Sequence, residues 1–241
     1  ISSLLMAEMI FYGPVLKDYE VSTIYIGGGT PSWLNEEWIA ALMEGIFECF
    51  NVKEDAEISI ECNPGTLTLN KLLTYRDAGV NRLSIGLQST NDEELKLLGR
   101  IHTYDQFVKN YEMARNVGYK NISVDLMYGL PQQTTEKYLD TVNRIVRLKP
   151  DHISAYSLIV EKGTPFYEKY KFDMVKQEAG MRTEFLPNED ELYEMEKAGQ
   201  AQLFDAGYKQ YEISNYAKNN LVCRHNIGYW TRENYLGLGI G

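Results

Sequence analysis

Three consecutive glycines at positions 27–29 follow a short apolar run, residues 21–26, and no other segment constrains this chain as strongly. The run has the length and composition of a buried strand. Glycine tolerates positive φ and lets a ligand lie against the backbone, so a strand that ends in this way presents bare N–H and C=O groups. The segment GGGTPS, residues 27–32 and hereafter the glycine loop, therefore predicts either a ligand-binding loop or a tight turn that binds nothing. It lacks the spacing of a P-loop or of a dinucleotide fingerprint.

Apolar strand-like segments alternate with amphipathic helix-like segments along the chain. The predicted strands cover residues 21–26, 58–60, 82–87, 122–127 and 153–159. Strict alternation favours parallel strands that are joined by right-handed crossovers. Because five such strands occur without a dinucleotide fingerprint, we predict a β/α barrel, open or closed, in preference to a doubly wound sheet.

The alternation breaks after residue 159. Residues 169–182 are polar and predict an irregular surface segment, whereas Asn188 predicts the start of a long helix that runs to about residue 206. Residues 208–216 are rich in aromatic side chains and predict a strand. Residues 219–241 carry glycines and aromatic residues in an order that is typical of a loop.

Charge and composition exclude several function classes. The 34 acidic and 24 basic residues give a formal net charge of −10, which argues against a nucleic-acid partner because such a partner needs a basic surface. No apolar run approaches the length of a membrane span, and no secretory signal opens the chain. The three cysteines, Cys49, Cys62 and Cys223, lack the spacing of a disulfide framework or of a complete metal site. A cytoplasmic location fits these features best.

Polar side chains stand at the carboxyl ends of the first four predicted strands, where β/α barrels gather their sites. Thr30 follows the first strand, Glu61 and Gln88 end the next two, and Asp125 lies inside the fourth. An ionisable group inside an apolar strand is costly unless it is paired, and Arg100 on a loop is a candidate partner. Three interpretations remain open: a carboxylate–arginine pair that stabilises the fold, a general acid and base, and the rim of a ligand site, which we favour.

His225 lies beside aromatic residues in the segment CRHNIGYW, residues 223–230. Imidazole is the usual proximal ligand of haem iron, and aromatic rings suit a flat macrocycle. The commoner alternative for a lone histidine is a structural role in a core or a capped loop. The segment therefore predicts either a haem ligand or a structural histidine.

Five segments together resemble the radical S-adenosylmethionine (SAM) proteins of the oxygen-independent coproporphyrinogen oxidase group. They are GGGTPS (27–32), EISIECNP (57–64), NRLSIGLQS (81–89), LGR (98–100) and DLMYGLP (125–131). The resemblance implies an α/β fold, a partial (β/α)6 TIM-like barrel, that binds SAM at the rim. It implies that SAM contacts Gly28, Gly29, Thr30, Glu61, Gln88, Arg100 and Asp125.

Within this group, HNIGYW (225–230) is similar to the HNxxYW signature of the haem-chaperone (HemW-type) branch, and YEISNY (211–216) is similar to that branch as well. The branch implies that His225 binds haem iron and that haem passes to apo-haemoproteins. A homodimer and peripheral membrane association through client proteins stay open. The first alternative is the enzyme of the group, a coproporphyrinogen III oxidase that decarboxylates propionates by radical chemistry. The second, independent of the resemblance, is a β/α-barrel lyase or isomerase that uses Glu61 and Asp125.

The chain departs from the group in one respect, because the CxxxCxxC motif that binds a 4Fe-4S cluster is absent. In the group this motif lies on the first barrel strand and the following loop, before the glycine loop. The resemblance therefore implies that the chain is an internal fragment that does not itself bind the cluster. Residues 1–165 would form the core barrel without its first strand. Residues 166–241 would form a linker helix and the start of a C-terminal α+β haem-associated region.

Overall fold

The computed structural model describes residues 2–240, with side chains from residue 4 onward. Within these residues no helix combines the length and the apolar composition that a bilayer crossing needs. The strands are hydrogen-bonded in the order β1-β2-β3-β4-β5-β7-β6. The strands are β1 (Glu20–Ile26), β2 (Asn51–Cys62), β3 (Arg82–Gln88), β4 (Ile122–Tyr128), β5 (His152–Ser157), β6 (Lys209–Gln210) and β7 (Asn215–Ala217). The helices are α1 (Ser2–Tyr12), α2 (Glu36–Cys49), α3 (Leu69–Asp77), α4 (Asp92–Leu97), α5 (Tyr104–Val117), α6 (Thr135–Leu148), α7 (Pro165–Glu178), α8 (Glu189–Asp205) and α9 (Arg224–Thr231).

The chain divides into two compact units, of which the first combines Ile1–Gly86, Asp105–Ser123 and Val222–Gly241. In this unit β1 runs parallel to β2, and β2 runs parallel to β3. Side chains alternate between the two faces of a strand, so each strand has an apolar and a polar face. Ile58 and Ile60 are buried on the apolar face of β2. The polar face of β2 carries the residues that build the site described below.

The second unit combines Leu87–Tyr104 and Val124–Leu221. Strand β7 pairs antiparallel with both β5 and β6, so the parallel alternation ends after β5. Helices α6 and α8 pack closely at Gly199 of α8. A Cβ atom at that residue would lie only 2.6 Å from the ring of Tyr138 in α6. Helix α8 begins at a capping box that Asn188 and Glu191 form. The capped helix predicted at this position is therefore confirmed.

The predicted strands at residues 21–26, 82–87 and 122–127 are confirmed as β1, β3 and β4, and the prediction at 58–60 lies within the longer β2. The fifth predicted strand, 153–159, extends two residues beyond the end of β5. Strand β5 stops at Ser157, and the side chain of Ile159 is exposed.

The predictions for three C-terminal segments were wrong. Most of residues 169–182 belong to α7, whose start carries a Thr164 cap and Pro165 in the first turn. Residues 208–216 contain β6 and the start of β7 in place of one strand. Residues 219–241, predicted as a loop, include α9, and the HNIGYW segment lies on this helix.

Candidate functional site

The glycine loop offers open backbone immediately after β1. Gly28 and Gly29 have φ values of 81° and 67°, and no heavy atom lies within 4 Å of the position that a Cβ would take at either residue. The far end of the loop is fixed. Thr30 Oγ1 accepts a hydrogen bond from Asn63 Nδ2 at 3.2 Å, and Ser32 Oγ accepts one from the Asn63 backbone N–H at 3.0 Å. The loop is therefore an open cradle with a fixed base, which suits a small polar ligand.

Glu61 faces the glycine loop from the end of β2. Its Oε2 accepts a hydrogen bond from the Gly28 backbone N–H at 3.2 Å, and its Oε1 accepts one from the Tyr25 hydroxyl at 2.8 Å. Among the ion pairs of residues 2–240, none involves Glu61. The carboxylate is half-buried and can therefore attract a cationic group of a ligand in the cradle.

His225 lies in the first turn of α9, against β1. Its Nδ1 is 2.8 Å from Thr23 Oγ1. Its ring stacks on Tyr25 with 5.1 Å between centroids and an interplanar angle of 19°, and it meets Tyr229 edge to face at 5.1 Å. Within the part of the chain that the structure describes, Nε2 has no hydrogen-bond partner. In the tautomer whose Nδ1–H donates to Thr23 Oγ1, Nε2 has the free lone pair that can ligate a metal.

Glu57 fixes the start of α9 although it lies far away in the sequence. Its carboxylate is buried, with 6% of the residue exposed. Oε2 accepts a hydrogen bond from the Arg224 backbone N–H at 3.0 Å, and Oε1 accepts one from the His225 backbone N–H at 3.1 Å. The Cys223 thiol donates to Oε1 at 3.5 Å. The first N–H groups of a helix need acceptors, and here a carboxylate from β2 supplies them.

The environment of His225 keeps its imidazole neutral. Burial lowers the pKa of His225 below its ordinary value of 6.5, although the negative charge of Glu57 acts in the opposite direction. Neutral imidazole is the form that binds metal ions. The neutral form therefore predominates at neutral pH, and this is the form that could bind a metal ion.

Large accessible aromatic side chains lie on α9 and just after it, and one of them, Tyr229, contacts the His225 ring. Tyr229, Trp230 and Tyr235 are 51%, 56% and 69% exposed. The rings of Tyr229 and Tyr235 are in edge-to-face contact, with 4.9 Å between centroids. Exposed aromatic rings near an imidazole are features that suit a flat apolar macrocycle.

The predicted residues Gln88, Arg100 and Asp125 lie in the second unit. Gln88 ends β3, is buried, and adopts a φ of 78°. Its Oε1 accepts a hydrogen bond from Tyr156 Oη at 3.0 Å. A residue other than glycine at positive φ is strained by about 1–3 kcal/mol, and such strain concentrates at functional sites. Asp125 lies within β4 between two buried apolar residues, and Arg100 is half-buried in the loop after α4.

Arg100 does not form the ion pair that the sequence suggested. The ion pairs among the described residues do not include this arginine. Its backbone N–H donates to the Leu95 carbonyl at 2.9 Å, which fixes the loop. The guanidinium is therefore available to a ligand.

Sequence reasoning missed three residues that build the site: Thr23, Tyr25 and Glu57. Thr23 and Tyr25 alternate with isoleucines along β1, which is the period-two signal of a polar strand face. Glu57 lies four residues before Glu61 and thus on the same face of β2. That alternation could have identified these residues as site candidates, but not their contacts with a residue about 200 positions away.

The cysteines of the described residues do not form a cluster site. No group of three or more His, Cys, Asp or Glu side chains between residues 2 and 240 could hold a metal ion. Cys62 and Cys223 are buried, and Cys49 is half-buried. Because 4Fe-4S clusters are bound by several cysteine thiolates, these residues do not supply the ligands of one.

Residues 14–145 match the family model of the Radical SAM superfamily. Heme chaperone HemW of Escherichia coli (strain K12) is 40% identical over 222 residues, which cover 92% of this chain and 55% of that protein. A Mus musculus protein named radical S-adenosyl methionine domain-containing protein 1, mitochondrial, is 39% identical over 221 residues, which cover 92% of this chain and 48% of that protein. The resemblance to the haem-chaperone branch is thus confirmed, and the chain spans about half the length of the curated relatives it matches.

A solved structure supports the same assignment. Coproporphyrinogen III oxidase (HemN) from Escherichia coli, described as a radical SAM enzyme, matches with a TM-score of 0.78 and 28% identity. The match covers 95% of this chain and 50% of that one. This similarity confirms the predicted partial β/α barrel of the radical SAM type. The chain belongs to the radical SAM superfamily.

Proposed function

We propose that the full-length protein that carries this chain binds haem through His225 and delivers it to apo-haemoproteins. One observation carries the proposal. The imidazole is hydrogen-bonded at Nδ1 to Thr23, is stacked on Tyr25, contacts the exposed ring of Tyr229, and has an unbonded Nε2. The 40% identity to a protein named heme chaperone HemW, over 92% of this chain, supports it.

The residues around His225 fit haem as a transferable ligand. Nε2 of the neutral imidazole would ligate the iron, and the accessible rings of Tyr229 and Trp230 would contact the macrocycle. Because these rings are about half exposed, the ligand would stay partly open to solvent and to a client protein. A partly open site suits a protein that must release its cargo as well as bind it.

The glycine loop fits SAM. Gly28 and Gly29 leave open space where other residues would place a Cβ, and the Glu61 carboxylate lies beside them. SAM carries an ammonium and a sulfonium group, and it would supply these cationic groups to the carboxylate. Gly28, Gly29, Thr30 and Glu61 would hold SAM from the first unit. Gln88, Arg100 and Asp125 are proposed as further contacts.

The test is a haem titration of the full-length protein and of His225→Gly, followed by the Soret absorption. We expect the substitution to abolish the saturable spectrum of histidine-bound haem. Imidazole added to the His225→Gly protein should restore that spectrum, because it can occupy the space of the lost ring. His102→Gln is the control, since His102 is buried and its Nε2 is directed at the Leu87 carbonyl, 3.3 Å away. An unchanged Soret spectrum in His225→Gly would contradict the proposal.

The second candidate function is that of a coproporphyrinogen III oxidase, which the TM-score of 0.78 to such an enzyme favours. It predicts decarboxylation of coproporphyrinogen III by the reconstituted, reduced, anaerobic full-length protein. Turnover that survives in the His225→Gly variant would favour the oxidase. No turnover by the wild-type protein, together with tight haem binding, would favour the chaperone.

The setting of this function is proposed from the sequence and its resemblance to the haem-chaperone branch. We propose a cytoplasmic homodimer whose client contacts include peripheral association with membranes. Residues 166–241 would form the linker helix and the start of the haem-associated region. Size-exclusion chromatography with light scattering tests the dimer directly.

A further inference from the structure

Tyr25 is the one residue that contacts both Glu61 and His225 among the contacts of the described residues. Its hydroxyl donates to Glu61 Oε1 at 2.8 Å, and its ring stacks on the His225 imidazole with 5.1 Å between centroids. Since Glu61 also accepts a hydrogen bond from the Gly28 N–H, an unbroken series of contacts runs from the glycine loop to the imidazole. Every member of this series lies in the first unit.

The packing around Tyr25 is tight at its hydroxyl end. A Cβ atom at Gly27 would lie 2.8 Å from Tyr25 Cε1 and 3.1 Å from Glu61 Cδ. A side chain at this position would force the Tyr25 ring, and with it the Glu61 carboxylate, to shift. The glycine at position 27 therefore makes room for the contact between Tyr25 and Glu61.

The two contacts of Tyr25 constrain each other. A rigid ring cannot change the position of its hydroxyl without shifting the face that lies at 19° to the imidazole. A cationic ligand group at Glu61 Oε1 would compete with the Tyr25 hydroxyl for the negative charge of that oxygen and weaken their hydrogen bond. A ligand at Glu61 would thereby shift Tyr25 from an anchored toward a released arrangement.

We propose that Tyr25 links the glycine loop to His225, so that SAM at Glu61 weakens haem binding at His225 and haem weakens SAM binding by the same factor. This inference rests on the proposed function. In the anchored arrangement the Tyr25 ring packs against one face of the imidazole and fixes its orientation toward iron. A SAM ammonium group that binds Glu61 releases the Tyr25 hydroxyl, and the imidazole loses this packing contact. Reciprocity follows from thermodynamic linkage.

The link gives the proposed chaperone a means of release. Haem would bind tightly while the glycine loop is empty and would be handed on when SAM arrives. The expected effect is roughly five- to tenfold, at the low end of site-to-site effects, because a single partly exposed hydrogen bond transmits it. Tyr25 acts here as a positioning residue, since it touches the residues that bind the two ligands.

The experiment measures haem affinity with and without saturating SAM in the anaerobically prepared full-length protein, and SAM affinity by calorimetry with and without haem. We expect wild type to lose roughly five- to tenfold in each affinity when the other ligand is present. Tyr25→Phe keeps the stacked ring and removes the bond to Glu61, so both ratios should approach one. Each ratio compares the affinity of one variant for a ligand with and without the other ligand. If Tyr25 only stabilised the fold, Tyr25→Phe would weaken both affinities alike and leave the ratio unchanged.

Tyr75→Phe is the matched control, since its buried hydroxyl in the first unit has no hydrogen-bond partner. It should keep the wild-type ratios. Equal haem affinities with and without SAM in wild type, or wild-type ratios in Tyr25→Phe, would overturn the link while leaving the proposed function intact. Haem binding that survives His225→Gly would instead overturn the proposed function, and the link with it.

Discussion

The two ends of the polar face of β2 use the same residue type for different purposes. Glu57 is buried, and its carboxylate accepts three hydrogen bonds from residues at the start of α9. Glu61, four residues on, is half-buried and accepts one bond from the Tyr25 hydroxyl at 2.8 Å and a longer one from the Gly28 N–H at 3.2 Å. Glu57, with three bonds and little exposure, supports structure, whereas Glu61, with two bonds and access to solvent, has acceptor capacity left for a ligand.

The comparison separates the two functions of the strand. The Glu57 end fixes where His225 stands, and the Glu61 end offers charge to the glycine loop. Tyr25 stands between them on the neighbouring strand, which is why it can contact both regions. Substitutions at the two ends should therefore give opposite patterns of stability and binding.

The largest expected effect is that of Glu57→Gln. A glutamine keeps one acceptor but turns an NH₂ group toward a helix N–H, so a buried donor loses its partner. We expect the free energy of unfolding to fall by about 3 kcal/mol. Urea denaturation measures the loss, and hydrogen exchange should locate it at the first amides of α9.

Glu54→Gln is the control for that substitution, because Glu54 lies on the same strand and is exposed. Its unfolding free energy should stay within about 0.5 kcal/mol of wild type. Equal losses in the two variants would remove the structural role of Glu57.

Gly27→Ala should have the next largest effect, at the Glu61 end. The added methyl group would clash with Tyr25 and Glu61, and the repacking should cost about 2 kcal/mol of stability. Gly237→Ala is the control, because nothing lies within 4 Å of a Cβ at that position. Thermal unfolding of both variants checks the difference, and matching melting temperatures would argue against the tight packing of Tyr25.

Glu61→Gln should reverse the pattern of Glu57→Gln. Solvent reaches the side chain, so the unfolding free energy should change by less than about 1 kcal/mol. The loss of negative charge should weaken SAM binding about tenfold or more, because a bond between two charged groups becomes one with a neutral partner. Calorimetry measures the affinity. A variant that is unstable yet binds SAM normally would show that Glu61 serves the fold and not the ligand.

The sequence predicted the repeating parts of the fold better than its ending. The runs that became β3 and β4 are readable because parallel strands bury most of their residues. The run that became β1 is readable from its apolar content, although six of its seven residues are only half-buried and the remaining one is exposed. Helix α9 was not predicted because its N-terminal cap is not local in the sequence. Cys223 provides no side-chain cap, and Glu57, more than 160 positions away, supplies the hydrogen-bond acceptors. Helix α7 carried local signals, Thr164 followed by Pro165, but its mixed polar composition favoured the wrong interpretation.

The candidate site divides in the same way. The resemblance supplied the glycine loop, Glu61 and His225, since these lie in contiguous motifs. It supplied neither Thr23 nor Tyr25, whose importance depends on a partner about 200 residues later. Residues that position a ligand-binding group are thus harder to predict than the group itself, because their role is defined only by tertiary contact.

Thr23→Val tests that positioning role with a smaller effect. Valine has nearly the shape of threonine but lacks the oxygen that bonds His225 Nδ1, so the imidazole loses its fixed orientation. Haem affinity should fall about fivefold, the value of one hydrogen bond of roughly 1 kcal/mol. Thr23→Ser keeps the hydroxyl and should retain wild-type affinity in the Soret titration. If serine and valine weaken binding equally, packing and not the hydrogen bond positions the ring.

The smallest effect concerns pH and the Glu57 end of the comparison. Because burial lowers the pKa of His225 below 6.5, the neutral imidazole predominates from pH 8 down to 6.5, and haem affinity should change by less than about twofold over that range. Affinity should fall further at lower pH, as protonation of the imidazole competes with iron. Glu57 opposes the shift through its charge, so Glu57→Gln should move the fall to still lower pH. Haem titrations between pH 5 and 8 measure this, and a midpoint at or above 6.5 in wild type would show that the ring is more solvated than its position against Tyr25 implies.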